Sequence, residues 1–165
     1  MKKIIVFENF FFENTLKLFL KIITNNLNLV ISGGSTFKKI FRCIDKKIHI
    51  NKSVKIYLSD ERLYKNLDFL NTNCFNLKKN FFSKIKFRKL QFVYFELNLK
   101  YEKKILTNFS NKISKNFPKA AILSLGSDGH ICSVFKGSEY LAKSKYIHII
   151  KPKKKIKRIS VNKLF

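Results

Sequence analysis

The residues Ser32-Gly33-Gly34-Ser35-Thr36 set a pair of glycines among three hydroxyls, between an apolar run and a basic segment. A glycine pair is kept where backbone must bend sharply or approach something closely. If the apolar run is a strand and the basic segment a helix, the unsatisfied N–H groups of that helix start point into the turn and favour an anion. A plain strand-to-helix turn is the other reading of the same residues. Two further polar stretches carry groups that bind charge or move protons. Asp60-Glu61-Arg62 puts two carboxylates beside a guanidinium, and Gly126-Ser127-Asp128-Gly129-His130 places a histidine two residues after an aspartate. A histidine has the unperturbed pKa for general-base work near pH 7. An aspartate beside it can orient the imidazole. A lone histidine after a strand also serves purely structural ends.

These stretches need elements to position them. Leu27–Ser32, Val54–Ser59 and Ala120–Leu125 are apolar runs of strand length, each leading into one of the three polar turns. Lys3–Phe7, Phe92–Leu97, Tyr146–Ile150 and Lys157–Val161 read as further strands. Leu16, Phe19, Leu20 and Ile23 recur at helical spacing, as do Tyr101, Ile105 and Phe109. A short helix is expected over about Phe37–Ile44, and another from a Thr72 or Asn73 cap to about Phe82. Alternating strands and helices predict an α/β fold, an open and mostly parallel sheet with helices on both faces. The three polar turns would then share the carboxyl edge of the sheet, where such folds bind ligands. A single domain is expected over residues 1–165.

Composition narrows the function classes. The formal net charge of +25 invites a nucleic-acid reading, yet it comes from 31 Lys and only 4 Arg spread along the chain. Lys, Ile, Phe and Asn together fill 85 of 165 positions, the pattern an AT-rich genome produces without selection for binding. Base readout asks for arginine, so no specific nucleic-acid partner is expected. Cys43, Cys74 and Cys132 are odd in number and, with His49, His130 and His148, form no metal-ligand spacing, so no metal is expected. Unpaired cysteines fit a reducing compartment. Glu8 and Glu13 interrupt the apolar start, and no stretch has the roughly 18 uncharged apolar residues of a membrane span. The expectation is a cytoplasmic protein without a membrane partner.

In order and in type, the three motifs resemble those of the 6-phosphogluconolactonase and glucosamine-6-phosphate isomerase superfamily: an SGGST phosphate loop, a DE pair after a later strand, and a G-x-DGH turn. The resemblance runs from Leu27 to about Val161. Arg62 after the DE pair, and Phe135 five residues after His130, match the lactonase pattern. The isomerase branch carries DEY and a glutamate at those places. Ser133 also matches the lactonase stretch, Asn71–Cys74 resembles its DSNY segment, and Lys157–Ser160 its RIT strand. Phe37 stands where a proline is usual, Ser124 where a glycine is usual, and Leu63–Lys65 replaces VPP. Family chains also continue past the RIT strand, so the C-terminal elements are expected to be missing here.

The resemblance implies hydrolysis of 6-phospho-D-glucono-1,5-lactone to 6-phosphogluconate, a step of the oxidative pentose phosphate pathway. Backbone N–H groups of Gly33, Gly34, Ser35 and Thr36 would hold the phosphate, with Arg62 adding a charge-assisted contact. An ion pair with Glu61 or Asp60 is the alternative role for Arg62. His130 is the expected general base, Asp60 its runner-up, and Asp128 or Asp60 would orient the imidazole or hold sugar hydroxyls. Glu61, Gly129 and Ser133 are expected to support the loops. The ring ester is already reactive, so no cofactor is required. A glucosamine-6-phosphate deaminase/isomerase-type activity, or a relic that binds sugar phosphates or polyanions without turnover, are the alternatives.

Overall fold

Strand β1 (Leu29–Ile31) consists of three fully buried aliphatic residues, the mark of a strand covered on both faces. In a computed structural model that describes residues 11–44, 48–63, 69–86, 91–95, 97, 102–153 and 156–162, β1 sits between β3 (Ile56–Leu58) and β7 (Ala120–Ile122). β6 (Phe92–Val93) adds to β3, giving the order β6-β3-β1-β7 with every pairing parallel. The Lys3–Phe7 strand lies outside the described residues, as do Tyr101 and part of the Leu63–Lys65 and Lys151–Arg158 stretches.

Helices flank this sheet, as the alternation of elements requires. Helix α1 (Phe11–Thr24) buries Leu16, Phe19 and Ile23, the spacing of one helix face. Phe19 packs edge-on against Phe41 of α2 (Ser35–Arg42) and against Phe81, just past α3 (Asn73–Asn80). Phe41 and Phe81 stack with centroids 4.3 Å apart, tying three helices into one aromatic cluster. Helix α4 (Glu102–Lys115) covers β3: Phe109 meets the Tyr57 ring, and the Tyr57 hydroxyl donates to the Asn116 carbonyl at 2.8 Å. Lys84 Nζ donates to the Phe41 and Ile44 carbonyls, satisfying acceptors that the end of α2 leaves open.

A second, antiparallel sheet joins the first, beyond what the apolar runs suggest. β4 (Asp60–Arg62) follows β3 with only Ser59 between, and leads the order β4-β10-β9-β8. β10 (Arg158–Val161) and β9 (Ile147–Lys151) correspond to the expected C-terminal strands. β8 (Glu139–Lys143) is an exposed edge strand with a bulge between Tyr140 and Ala142. A small parallel pair, β2 (Ile48–His49) with β5 (Ile85–Lys86), completes the strands among the described residues. Helix α2 begins two residues earlier than its apolar spacing suggests, α3 ends two residues sooner, and the β6 ladder stops at Val93.

Candidate active site

β1 ends at Ile31 and α2 starts at Ser35 with Gly34 as its N-cap, so the glycine turn connects strand and helix directly. The first helical bond runs from the Lys38 N–H to the Gly34 carbonyl. The amides of Ser35, Thr36 and Phe37 therefore lie in the first turn, where an α-helix has no acceptor of its own for them. No side chain caps this end. The two glycines do different things. A Cβ on Gly33 would lie 2.6 Å from Asn73 Cβ and 2.7 Å from the Asn73 carbonyl oxygen, so Gly33 is needed for contact with α3. Around Gly34 a Cβ would meet nothing within 4 Å, so its surroundings are open.

The Asp60-Glu61-Arg62 stretch is the short strand β4, and its side chains alternate. Asp60 is 4% exposed; its Oδ1 accepts from the Ser59 hydroxyl and its Oδ2 from the Ser133 hydroxyl, both at 2.6 Å. Glu61 is also buried and accepts three backbone N–H bonds, from Arg62 and Asn73 at 2.9 Å and from Cys74 at 2.8 Å. With Thr72, whose Oγ1 accepts from the Phe75 N–H, it caps α3. Burial pushes the Glu61 carboxyl up to about 7, against the pull of its hydrogen bonds from Cys74, Asn73 and Arg62. Its place is the base of α3, a supporting one. Arg62 Nη1 donates to the Asn71 carbonyl at 2.8 Å, which aims its guanidinium along the start of the same helix.

After β7 the chain makes a tight turn. The Gly129 N–H donates to the Gly126 carbonyl at 2.9 Å and the Gly126 N–H to the His130 carbonyl at 2.8 Å. Gly129 has φ +79°, a conformation other residues adopt only with strain. Gly126 has no room for a side chain, because a Cβ there would overlap the His130 imidazole. The turn brings Asp128 Oδ1 into a hydrogen bond with His130 Nδ1. The imidazole stacks on Phe135 with centroids 4.2 Å apart and keeps 29% of its side-chain surface exposed. Cys132, at φ +55°, then reverses the chain and drives Ser133 inward to Asp60. Burial pushes the Cys132 thiol up to about 12, so it packs as an apolar group.

The three motifs thus meet around Asp60. Ser32 Oγ lies 3.3 Å from Ser59 Oγ, joining the glycine turn to β4, and Ser133 joins β4 to the histidine turn. Asn73 Nδ2 donates to the Asp60 carbonyl, which ties in Gly33 as well. His130 stands one layer out, bonded to Asp128 and not to Asp60. Asn73 and Arg158 are contributors that motif reading passed over. In the sequence Asn73 reads as a helix cap and as part of the Asn71–Cys74 segment, and Arg158 as part of the Lys157–Val161 strand. Arg158 Nη1 lies 3.4 Å from Ser133 Oγ, and its Cζ lies 5.0 Å from the Phe135 ring centre. Among the described residues, no cluster of His, Cys, Asp and Glu could hold a metal ion, and no helix is long and apolar enough to cross a membrane.

Residues 12–163 match the family model described as glucosamine-6-phosphate isomerases/6-phosphogluconolactonase. Among solved structures, the 6-phosphogluconolactonase from Thermotoga maritima superposes with a TM-score of 0.74 at 20% identity, covering 94% of this chain and 74% of that one. The 6-phosphogluconolactonase from Plasmodium vivax gives 0.71 at 22% identity, over 92% and 67% of the two chains. A monomeric glucosamine-6-phosphate deaminase gives 0.72 at 13% identity, over 91% and 70%. No curated protein matches the chain significantly.

Proposed function

We propose that this chain, which belongs to the glucosamine-6-phosphate isomerase/6-phosphogluconolactonase family, hydrolyses 6-phospho-D-glucono-1,5-lactone to 6-phosphogluconate. The observation that carries this reading is the His130–Phe135 stack. The isomerase pattern has a carboxylate at that position, whereas here an aromatic ring lies against the imidazole and Asp128 supplies the adjacent charge at Nδ1.

In this mechanism the phosphate sits at the start of α2, on the backbone N–H groups of the Gly33–Thr36 turn, with Arg62 beside it. Asp128 holds His130 with its proton on Nδ1, leaving Nε2 as the basic nitrogen. His130 Nε2 takes a proton from water as the water oxygen attacks the lactone carbonyl carbon. The tetrahedral intermediate collapses with cleavage of the bond to the ring oxygen. The His130 imidazolium returns its proton to that oxygen, making it a hydroxyl, and the carboxylic acid formed at the carbonyl carbon loses its proton to solvent to become a carboxylate. Asp128 stabilises the imidazolium formed on the way. Asp60, with a serine hydroxyl on each oxygen, anchors the loops around the substrate and is poorly placed to act as the base. We place the protein in the cytoplasm, where Cys43, Cys74 and Cys132 stay reduced.

The test is acid release from the lactone, with spontaneous hydrolysis subtracted, beside ammonia release from glucosamine 6-phosphate. Lactone turnover without ammonia supports the proposal; ammonia above background assigns the isomerase-type activity. Binding without either reaction, lost at moderate ionic strength, would assign a polyanion-binding relic.

A further inference from the structure

We propose that Arg158 is a second phosphate-binding residue, forming with Arg62 a two-arginine clamp across the β4–β10 ladder. The antiparallel register sets Arg158 opposite Arg62 and Ser160 opposite Asp60. Residues directly opposite in such a pair project to the same face. Both guanidinium-bearing positions therefore share the face that carries the Asp60 side chain, while Glu61 and Ile159 belong to the other face. Two like charges facing one another across strands destabilise a sheet, and a dianion between them reverses the sign of that term.

Each arginine has a contact that restrains its guanidinium. Arg62 is anchored through Nη1 on the Asn71 carbonyl. Arg158 lies over Phe135, with Nη1 toward Ser133 Oγ. Phe135 is also the ring on which His130 stacks, so one aromatic side chain positions both the base and this cation. Oriented guanidinium pairs suit phosphate, whose oxygens accept two N–H bonds from one fork. Arg158 thus gives Phe135 a second task and links the phosphate end of the substrate to the histidine turn.

This inference rests on the lactonase reading, and binding measurements separate the two. Arg158→Gln should raise KM for the phosphorylated lactone roughly 10- to 100-fold, the loss of one charge-assisted contact. Its cost on glucono-1,5-lactone, which lacks the phosphate, should be at least about tenfold smaller, because the charged contact has no counterpart there. Calorimetric titration with inorganic phosphate and with 6-phosphogluconate should show the same weakening, partly restored in Arg158→Lys. Ser133→Ala, which breaks the link from Arg158 to Asp60, should lower kcat with a smaller effect on phosphate affinity. Thermal unfolding of each variant checks that the fold persists. Equal losses on both lactones, unchanged phosphate affinity in Arg158→Gln, or a Ser133→Ala variant that reproduces Arg158→Gln would overturn the clamp. If the native chain binds 6-phosphogluconate through Arg158 but hydrolyses neither lactone, the clamp stands and the lactonase reading falls.

Discussion

Replacing Gly33 with alanine should be far more damaging than replacing Gly34 with valine, although valine is the larger intrusion. The Gly33 Cβ would stand 2.6 Å from Asn73 Cβ and 2.7 Å from its carbonyl oxygen, almost an ångström short of ordinary contact. Asn73 cannot retreat cheaply. Its N–H donates to Glu61 Oε1 at 2.9 Å, its side-chain amide to the Asp60 carbonyl at 2.9 Å, and it opens helix α3. Overpacking costs about 1–3 kcal/mol. Stretching a hydrogen bond to a buried carboxylate adds about 1.5–3 kcal/mol. The sum for Gly33→Ala is about 2.5–6 kcal/mol, a large part of the roughly 5–15 kcal/mol that holds a domain together. For a chain of this length that lowers Tm by on the order of 10 °C. Gly34 has φ −75° and ψ −173°, accessible to any residue, and a Cβ there meets nothing within 4 Å. Gly34→Val should cost about 1 kcal/mol through the weaker N-cap. It should nevertheless abolish phosphosugar affinity, because the side chain stands where the anion approaches the α2 amides. Urea and thermal unfolding followed by circular dichroism, with calorimetric titration of 6-phosphogluconate, measure both effects. If Gly33→Ala unfolds within about 2 °C of the native chain, or Gly34→Val proves the less stable of the two, the division of labour between these glycines is wrong.

Three further outcomes follow from the site. His130→Asn should lower kcat by about 10²–10⁴-fold with little change in phosphosugar affinity, read from paired kinetics and calorimetric titration. A larger kcat loss in Asp60→Asn than in His130→Asn would make Asp60 the base. Burial holds Glu61 at about 7 in the folded chain, so between its ordinary value of 4.5 and 7 the folded state binds more protons than the unfolded one. Stability from this group is therefore full below pH 4.5 and lost as pH rises through 7, a swing of up to about 3 kcal/mol that Tm against pH will reveal. Glu61→Gln should flatten that dependence and cost about 1–3 kcal/mol, since an amide cannot accept from the N–H groups of Asn73, Arg62 and Cys74 together. Gly126→Ala should displace the imidazole and cut kcat without a comparable loss of phosphate affinity, read from paired kinetics and titration.

What the sequence revealed, it revealed through periodicity and through local backbone demands. β1, β3 and β7 are apolar runs ending in turn-forming polar residues, and their order in the parallel sheet places all three motifs at one edge. The second sheet was harder to see. β4 is made of Asp, Glu and Arg, a composition no strand propensity selects, and it is a strand because β10 pairs with it. β8 contains Glu139 and Lys143 and is mostly exposed, so it lacks the alternation that marks a half-buried strand. Strand alternation turns the Glu61 side chain away from that of Asp60, and it accepts the N–H groups that open α3, a contact its place in the sequence does not spell out. The reach of Ser133 to Asp60 depends on the reversal at Cys132, where a positive φ on a non-glycine residue leaves no sequence signal.

The passage of one chain from β3 to β4 through Ser59 also has a kinetic consequence. Ser59 donates its N–H to the Ile31 carbonyl in the parallel sheet and accepts from the Val161 N–H in the antiparallel one. The first bond joins segments close in the chain; the second, like the neighbouring Asp60–Ser160 pairing, closes a loop spanning most of it. Loop closure costs more entropy as the loop lengthens, and distant pairings slow folding. The β1–β3 ladder can therefore assemble before β10 exists on a growing chain, while β4 waits with Asp60 and Arg62 unpaired. Substrate-binding capacity should appear as the final, slowest phase of refolding, after helical signal has returned.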